Sequence, residues 1–193
     1  LAKLLTILFV RGLVMSILRN DRVIELISKE KIAKKIAELG HEIKNHYQYS
    51  SETLVLIGVL KGSIIFLADL CRAIDLPLEL EMIGVSSYGE DTKSSGVVRI
   101  TQDLVRPIKN KHVLIVEDIF DTGLTVKYLV ENLKAREPCS VKVCTLLKKE
   151  ISNQVDIKLD FLGFSIPNEF VVGYGLDVAE RLRNLPMICI YQP

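Results

Sequence analysis

No two of the four cysteines, Cys71, Cys139, Cys144 and Cys189, stand in a C-x-x-C pattern, and their surroundings read as largely apolar. That argues against a zinc site and against a disulfide framework. The expectation is a set of small buried hydrophobes in a reducing, cytoplasmic setting. Charge of one sign is missing too: 25 Lys and Arg against 24 Asp and Glu leave a net charge of +1. Without a basic excess there is no electrostatic reason to expect a nucleic-acid partner, so any anion site must be local. The chain carries no internal repeat and no low-complexity tract. An uninterrupted apolar run of about 20 residues, as a membrane span requires, is also lacking, because Arg11 falls within the apolar stretch 1–18. Gly12 to Ser16 makes a poor signal-peptide cleavage site, and Met15 precedes an ordinary-looking start. Residues 1–20 are therefore expected to be an extension of little consequence to the fold, with no membrane partner.

What remains is 193 residues, 49% of them hydrophobic, enough for one well-buried domain over 21–193. Apolar residues recur at Ile32, Ala33, Ile36, Ala37 and Leu39 behind Ser28, which predicts an amphipathic helix over 28–39 with a serine cap. Thr53 to Leu60 is a continuous apolar run, short enough for a strand buried on both faces and broken by Lys61-Gly62-Ser63. A helix is expected over 64–74 and a second strand over 78–85. The polar stretch from Ser86 to Ser95 reads as a mobile loop, with Val97 to Thr101 returning as the second strand of a flap. Further strands are expected over 112–116, 141–147, 161–166 and 170–174, with an edge strand over 187–191 and a helix over 126–136. Strands alternating with helices imply an α/β fold with a mostly parallel sheet flanked by helices.

The chemistry concentrates in Val113 to Thr125, VLIVEDIFDTGLT. An apolar strand is expected to end at Val116, leaving Glu117 and Asp118 at its carboxyl end, the edge where open α/β sheets bind ligands. Asp121-Thr122-Gly123-Leu124-Thr125 then leads into a helix. Gly123 lets backbone approach a ligand, Thr122 and Thr125 offer hydroxyls, and the helix N-terminus can cradle a monophosphate without a lysine. A P-loop is absent. Carboxylates beside a phosphate cradle make sense if the ligand also carries ribose hydroxyls and a Mg²⁺-bound diphosphate.

This segment resembles the phosphoribosyl-diphosphate signature of the type I phosphoribosyltransferases, in the form found in their hypoxanthine-guanine branch. The resemblance implies that family's fold, with a flexible flap and a small C-terminal hood built from about 149–193. It implies a Mg²⁺-dependent reaction of 5-phosphoribosyl 1-diphosphate with a 6-oxopurine, and assembly as a homodimer or homotetramer. By the same likeness Glu117, Asp118, Ile119, Phe120, Asp121, Thr122, Gly123, Leu124 and Thr125 line the sugar-phosphate site, with Asp121 as general base.

Leu60-Lys61-Gly62 resembles the family's diphosphate loop, which has a cis peptide before the lysine. Ser86-Ser87-Tyr88-Gly89 resembles its catalytic flap, implying that Ser87 and Tyr88 close over the diphosphate. Lys149, with Lys148 beside it as the other register, matches the lysine that donates to the purine 6-oxo group. Phe161 to Pro167 and Phe170 to Asp177 are similar to the base-binding hood. Phe170 would stack on the purine, Val171 would read its edge, Glu117 and Asp118 would be metal ligands, Asp177 would bind a second Mg²⁺, and Arg183 would bind diphosphate. The region after Lys149 departs from the pattern, since Glu150-Ile151-Ser152 lacks the proline and basic residues often found there.

Other readings compete. A regulator on the same fold would want a basic surface or an added DNA-binding segment. A phosphoribosyltransferase for xanthine or another base is disfavoured by Lys149 and Phe170. A phosphatase-like metal site wants aspartates two apart, whereas Asp118 and Asp121 are three apart.

Overall fold

The computed structural model describes residues 22–87, 98–151 and 155–192. The expectations for residues 1–20, for Tyr88 and for the flap loop fall outside the described residues. The elements are β1 (Arg22–Ile27), α1 (Lys29–Tyr47), β2 (Leu54–Leu60), α2 (Ile64–Ala73), β3 (Leu78–Ser87), β4 (Val98–Gln102) and β5 (His112–Phe120). They continue with α3 (Leu124–Lys134), β6 (Ser140–Lys149), β7 (Phe161–Ile166), β8 (Val171–Val172) and β9 (Ile188–Gln192). Among the described residues, no helix is long and apolar enough to cross a membrane.

Six described strands form one sheet in the order β4-β3-β2-β5-β6-β7, parallel except for the β3–β4 pair. The central strands are buried on both faces, which is why they read as continuous apolar runs. Leu54 and Leu56 of β2 face α1 and α2, in one core with Ile32, Ile36, Leu39, Phe66 and Leu70. Val55, Ile57 and Val59 face the opposite core, where α3 contributes Val126, Leu129 and Leu133. Strand alternation thus assigns each helix its side. The Ser28 cap forms as expected, its hydroxyl accepting from the Lys31 amide at 3.4 Å.

Several elements differ from expectation. The helix begun by Ser28 runs on to Tyr47, burying Ile43 and Tyr47 past the predicted end. Strand β5 does not stop at Val116: Glu117, Ile119 and Phe120 go on pairing with Thr145, Leu147 and Lys148 of β6 after its pairing to β2 has ended. Lys149 is the last residue of β6, paired with Ile166, rather than part of a following loop. Phe161–Ile166, expected in the hood, is the outer strand of the large sheet. Of 170–174 only Val171–Val172 is strand, and Ile188–Gln192 is the middle strand of a separate antiparallel sheet, β1-β9-β8, rather than an edge. Strand β1 had no predicted counterpart, since its pairing partner lies at the other end of the chain. All four cysteines are free, but Cys139 is exposed and Cys71 only partly buried, so the buried-hydrophobe expectation holds for Cys144 and Cys189 alone.

Helices α1 and α2 touch at Gly40, where an added Cβ would lie 2.5 Å from the Ala73 carbonyl oxygen. At an exposed helical site Gly→Ala stabilises by about 1 kcal/mol. Here Gly40→Ala is expected to destabilise by about 1–3 kcal/mol through overpacking, measured as a lowered urea midpoint at unchanged m.

Candidate active site

Strands β2, β3, β5 and β6 are parallel, so their carboxyl ends share one edge of the large sheet. That edge gathers Lys61 and Gly62 after β2, Ser87 at the end of β3, Glu117 to Phe120 at the end of β5, and Lys149 at the end of β6. Asp121, Thr122 and Gly123 connect β5 to α3, whose first residues are Leu124 and Thr125.

Glu117 is buried, and its Oε2 has no hydrogen-bond partner among the described residues. Burial, reinforced by the neighbouring Asp118 carboxylate, pushes its carboxyl well above the usual carboxylate range. Asp118 keeps some surface, yet burial pushes it up to about 6, against the opposing pull of the Ile119 amide and the Arg183 guanidinium; Asp177 adds to the rise. Its Oδ1 accepts from the Ile119 amide at 2.8 Å. Its Oδ2 would lie 1.6 Å from a Cβ placed on Gly62, so only glycine lets this carboxylate meet the loop after β2. The Leu60–Lys61 peptide is cis, the form that the resemblance implies.

Gly123 begins α3 in the left-handed region, at φ +82°, with no side chain capping the helix. A Cβ there would also sit 2.4 Å from the Phe120 ring. The first-turn amides of α3 thus lack a side-chain cap, at the end of a helix that favours anions.

Lys149 Nζ lies 3.0 Å from Asp121 Oδ2, joining two residues that sequence reasoning had singled out separately. Lys149 thus faces the connection from β5 to α3. Phe170 is 53% exposed, unusual for a large apolar ring, and meets Tyr191 edge to face at 6.0 Å. The neighbouring Val171 is buried.

Arg183 bonds Asp177 at 2.8 Å and the Gly175 carbonyl at 2.8 Å, while its buried Nε has no partner among the described residues. Lys61 and Arg183 are linked through Glu180, whose carboxylate lies 3.1 Å from Lys61 and 3.4 Å from Arg183. Sequence reasoning missed Glu180. The spacing of Glu180 and Arg183, as in a helical pair, was a weak signal, and Lys61 is 119 residues away.

Among the described residues, no three His, Cys, Asp or Glu side chains converge as a ready-made metal cage. The donor set nevertheless fits Mg²⁺. Two carboxylates held out of water, one with an orphaned oxygen, are hard anionic ligands, and Mg²⁺ commonly takes one or two carboxylates and completes its shell with water and substrate oxygens.

A mostly parallel α/β sheet with buried carboxylates at its carboxyl edge, an uncapped helix start and a separate small antiparallel sheet defines a type I phosphoribosyltransferase. The phosphoribosyl transferase domain family matches residues 24–179. A hypoxanthine-guanine phosphoribosyltransferase of Bacillus subtilis is 52% identical, covering 87% of this chain and 92% of its own. That of Mycobacterium avium is 50% identical over 87% and 85%. The crystal structure of a Staphylococcus aureus hypoxanthine phosphoribosyltransferase superposes with TM-score 0.84 at 42% identity, covering 92% of this chain and 95% of that one. The chain belongs to the hypoxanthine-guanine branch of the phosphoribosyltransferase family.

Because Asp118 in the folded protein, at about 6, stands above the ordinary 3.8, the native state holds more protons than the unfolded chain between those values. Stability therefore falls as pH rises through that window, and the cost is fully present above it. Asp118→Asn is expected to raise the ligand-free protein's stability at pH 7.5 by on the order of 1–3 kcal/mol and to lessen its fall with pH above about 4, the remainder belonging to Glu117. Denaturant titrations at several pH values check this.

Proposed function

We infer that this chain transfers the phosphoribosyl group of 5-phosphoribosyl 1-diphosphate to N9 of hypoxanthine or guanine, giving IMP or GMP and diphosphate, a purine-salvage reaction. The observation that carries the reading is the buried Glu117–Asp118 pair leading into the uncapped start of α3, in a chain about half identical to enzymes of that name.

In this reading the first-turn amides of α3, with Thr122 and Thr125, hold the 5-phosphate, and Glu117 and Asp118 accept hydrogen bonds from the ribose hydroxyls. The Lys61-Gly62 loop and Arg183 hold the diphosphate. Phe170 stacks on the purine, the Val171 backbone reads its edge, and Lys149 Nζ donates to O6. As N9 forms its bond to the anomeric carbon, the bond from that carbon to diphosphate oxygen breaks, and the purine N7 proton passes to Asp121. Mg²⁺ held by Glu117 and Asp118, and a second Mg²⁺ held by Asp177, would supply charge neutralisation for the departing diphosphate. Ser87 and Tyr88 close the flap over it and exclude water. The free cysteines suit a reducing cytoplasm. Exposed Leu80 and Met82, two apart on β3, offer apolar surface for a homodimer or homotetramer.

A spectrophotometric assay with the sugar diphosphate, Mg²⁺ and each of hypoxanthine, guanine, xanthine and adenine is expected to show turnover with one or both of the first two; turnover with neither overturns the reading. Asp121→Asn is expected to lower kcat by about 10²–10⁴ while sugar-diphosphate binding changes far less. Near-normal turnover of that variant would reassign the base.

A further inference from the structure

We propose that the hydrogen bond from Tyr174 to Asp69 is a positioning contact that sets the separation between the purine and diphosphate halves of the site. The proposal rests on the function inferred above. Tyr174 is 6% exposed and takes a left-handed backbone at φ +52°, between Gly173 at +95° and Gly175 at +105°. A non-glycine residue rarely adopts this conformation, and here both the backbone and the side chain of Tyr174 are tied to neighbours. The Tyr174 hydroxyl donates to Asp69 Oδ2, and the other oxygen of that carboxylate takes Arg72.

The contact joins two bodies. Asp69 lies on α2, the helix that starts directly after the Lys61-Gly62 loop. Tyr174 belongs to the segment that carries Phe170 and Val171 on one side and Asp177 on the other. That segment is locked to Arg183 and its neighbours by Tyr174 N–H to Leu185 carbonyl at 2.8 Å, Gly175 N–H to Arg183 carbonyl at 2.9 Å and Arg183 Nη1 to Gly175 carbonyl at 2.8 Å. Where the bodies touch they meet backbone to backbone: a Cβ on Gly175 would be 2.0 Å from the Gly62 carbonyl oxygen.

Asp69 and Tyr174 also line an open surface cleft of about 530 Å³ with Ile32, Ile65, Leu185 and Pro186. Val171, Tyr174 and Leu176 pack in one core with Phe66 and Leu70 of α2, and the phenol–carboxylate bond adds a directional contact to that apolar seam. Burial first, and then Asp69 as acceptor, push the tyrosine hydroxyl well above its usual value, so it remains a donor over the working pH range. A bond of this kind is charge-assisted and directional, suited to fixing a distance. A shift of about 1 Å between reacting groups costs about a hundredfold in rate.

The test compares Tyr174→Phe with the parent in kcat, in dissociation constants for inorganic diphosphate alone and for GMP alone, and in thermal midpoint. The expected result is a fall in kcat of about tenfold or more, with each dissociation constant within about twofold, because each half stays intact while their alignment loosens. Asp69→Ala should reproduce the loss, and Asp69→Asn, which keeps an acceptor oxygen, should recover most of it. Should Tyr174→Phe fail to fold, the two Asp69 variants carry the same comparison. A kcat within twofold of the parent, or a loss matched by equal weakening of both separate ligands, overturns the proposal. A parent without turnover on either purine refutes the function, whereas an active parent with an equally active variant refutes only the tether.

Discussion

Two adjacent carboxylates held largely out of water at the end of a central strand are the constraint that organises this molecule. Charges so placed are costly, and they persist only where surrounding structure outweighs the cost. Here β5 runs between β2 and β6, and Val113 to Val116 are completely buried. The same apolar strand that stabilises the sheet therefore delivers Glu117 and Asp118 to its edge. Among the described residues, Glu117 Oε2 and Arg183 Nε are buried without hydrogen-bond partners, and both belong to this end of the sheet.

Around that pair, the ligand-free protein matches charge with charge from its own chain. Lys149 pairs with Asp121, Asp177 with Arg183, and Glu180 joins Lys61 to Arg183. The first and the last of these links join groups from different elements: the end of β6 to the turn after β5, and the loop after β2 to the segment around Arg183. Close backbone approaches serve the same end: Gly62 admits the Asp118 carboxylate from one direction and Gly175 meets Gly62 from another. The loop after β2 is thereby held between the strand that carries the carboxylates and the hood that carries Phe170.

Residues that act within a short stretch of chain were legible in advance. The Ser28 cap, the double-faced burial of β2, and the cluster of acidic and glycine residues from Glu117 to Gly123 each depend on local pattern, and each occurs where the pattern places it. Boundaries were less legible. Strand β5 outruns its apolar run because backbone pairing to β6 continues regardless of side-chain polarity, so Glu117 and Asp118 belong to the strand rather than to the turn after it.

The sequence by itself determined the alternating α/β order and the run of carboxylates, hydroxyls and glycine from Glu117 to Thr125 at the start of a helix, since propensity, periodicity and motif chemistry are properties of neighbouring residues. Only the tertiary structure decided that β1 would join β9 in a second sheet, that Glu180 would link Lys61 to Arg183, and that Tyr174 would reach Asp69. Those contacts join residues far apart in the chain. Their existence depends on sheet register and on how two bodies meet, which no local pattern encodes.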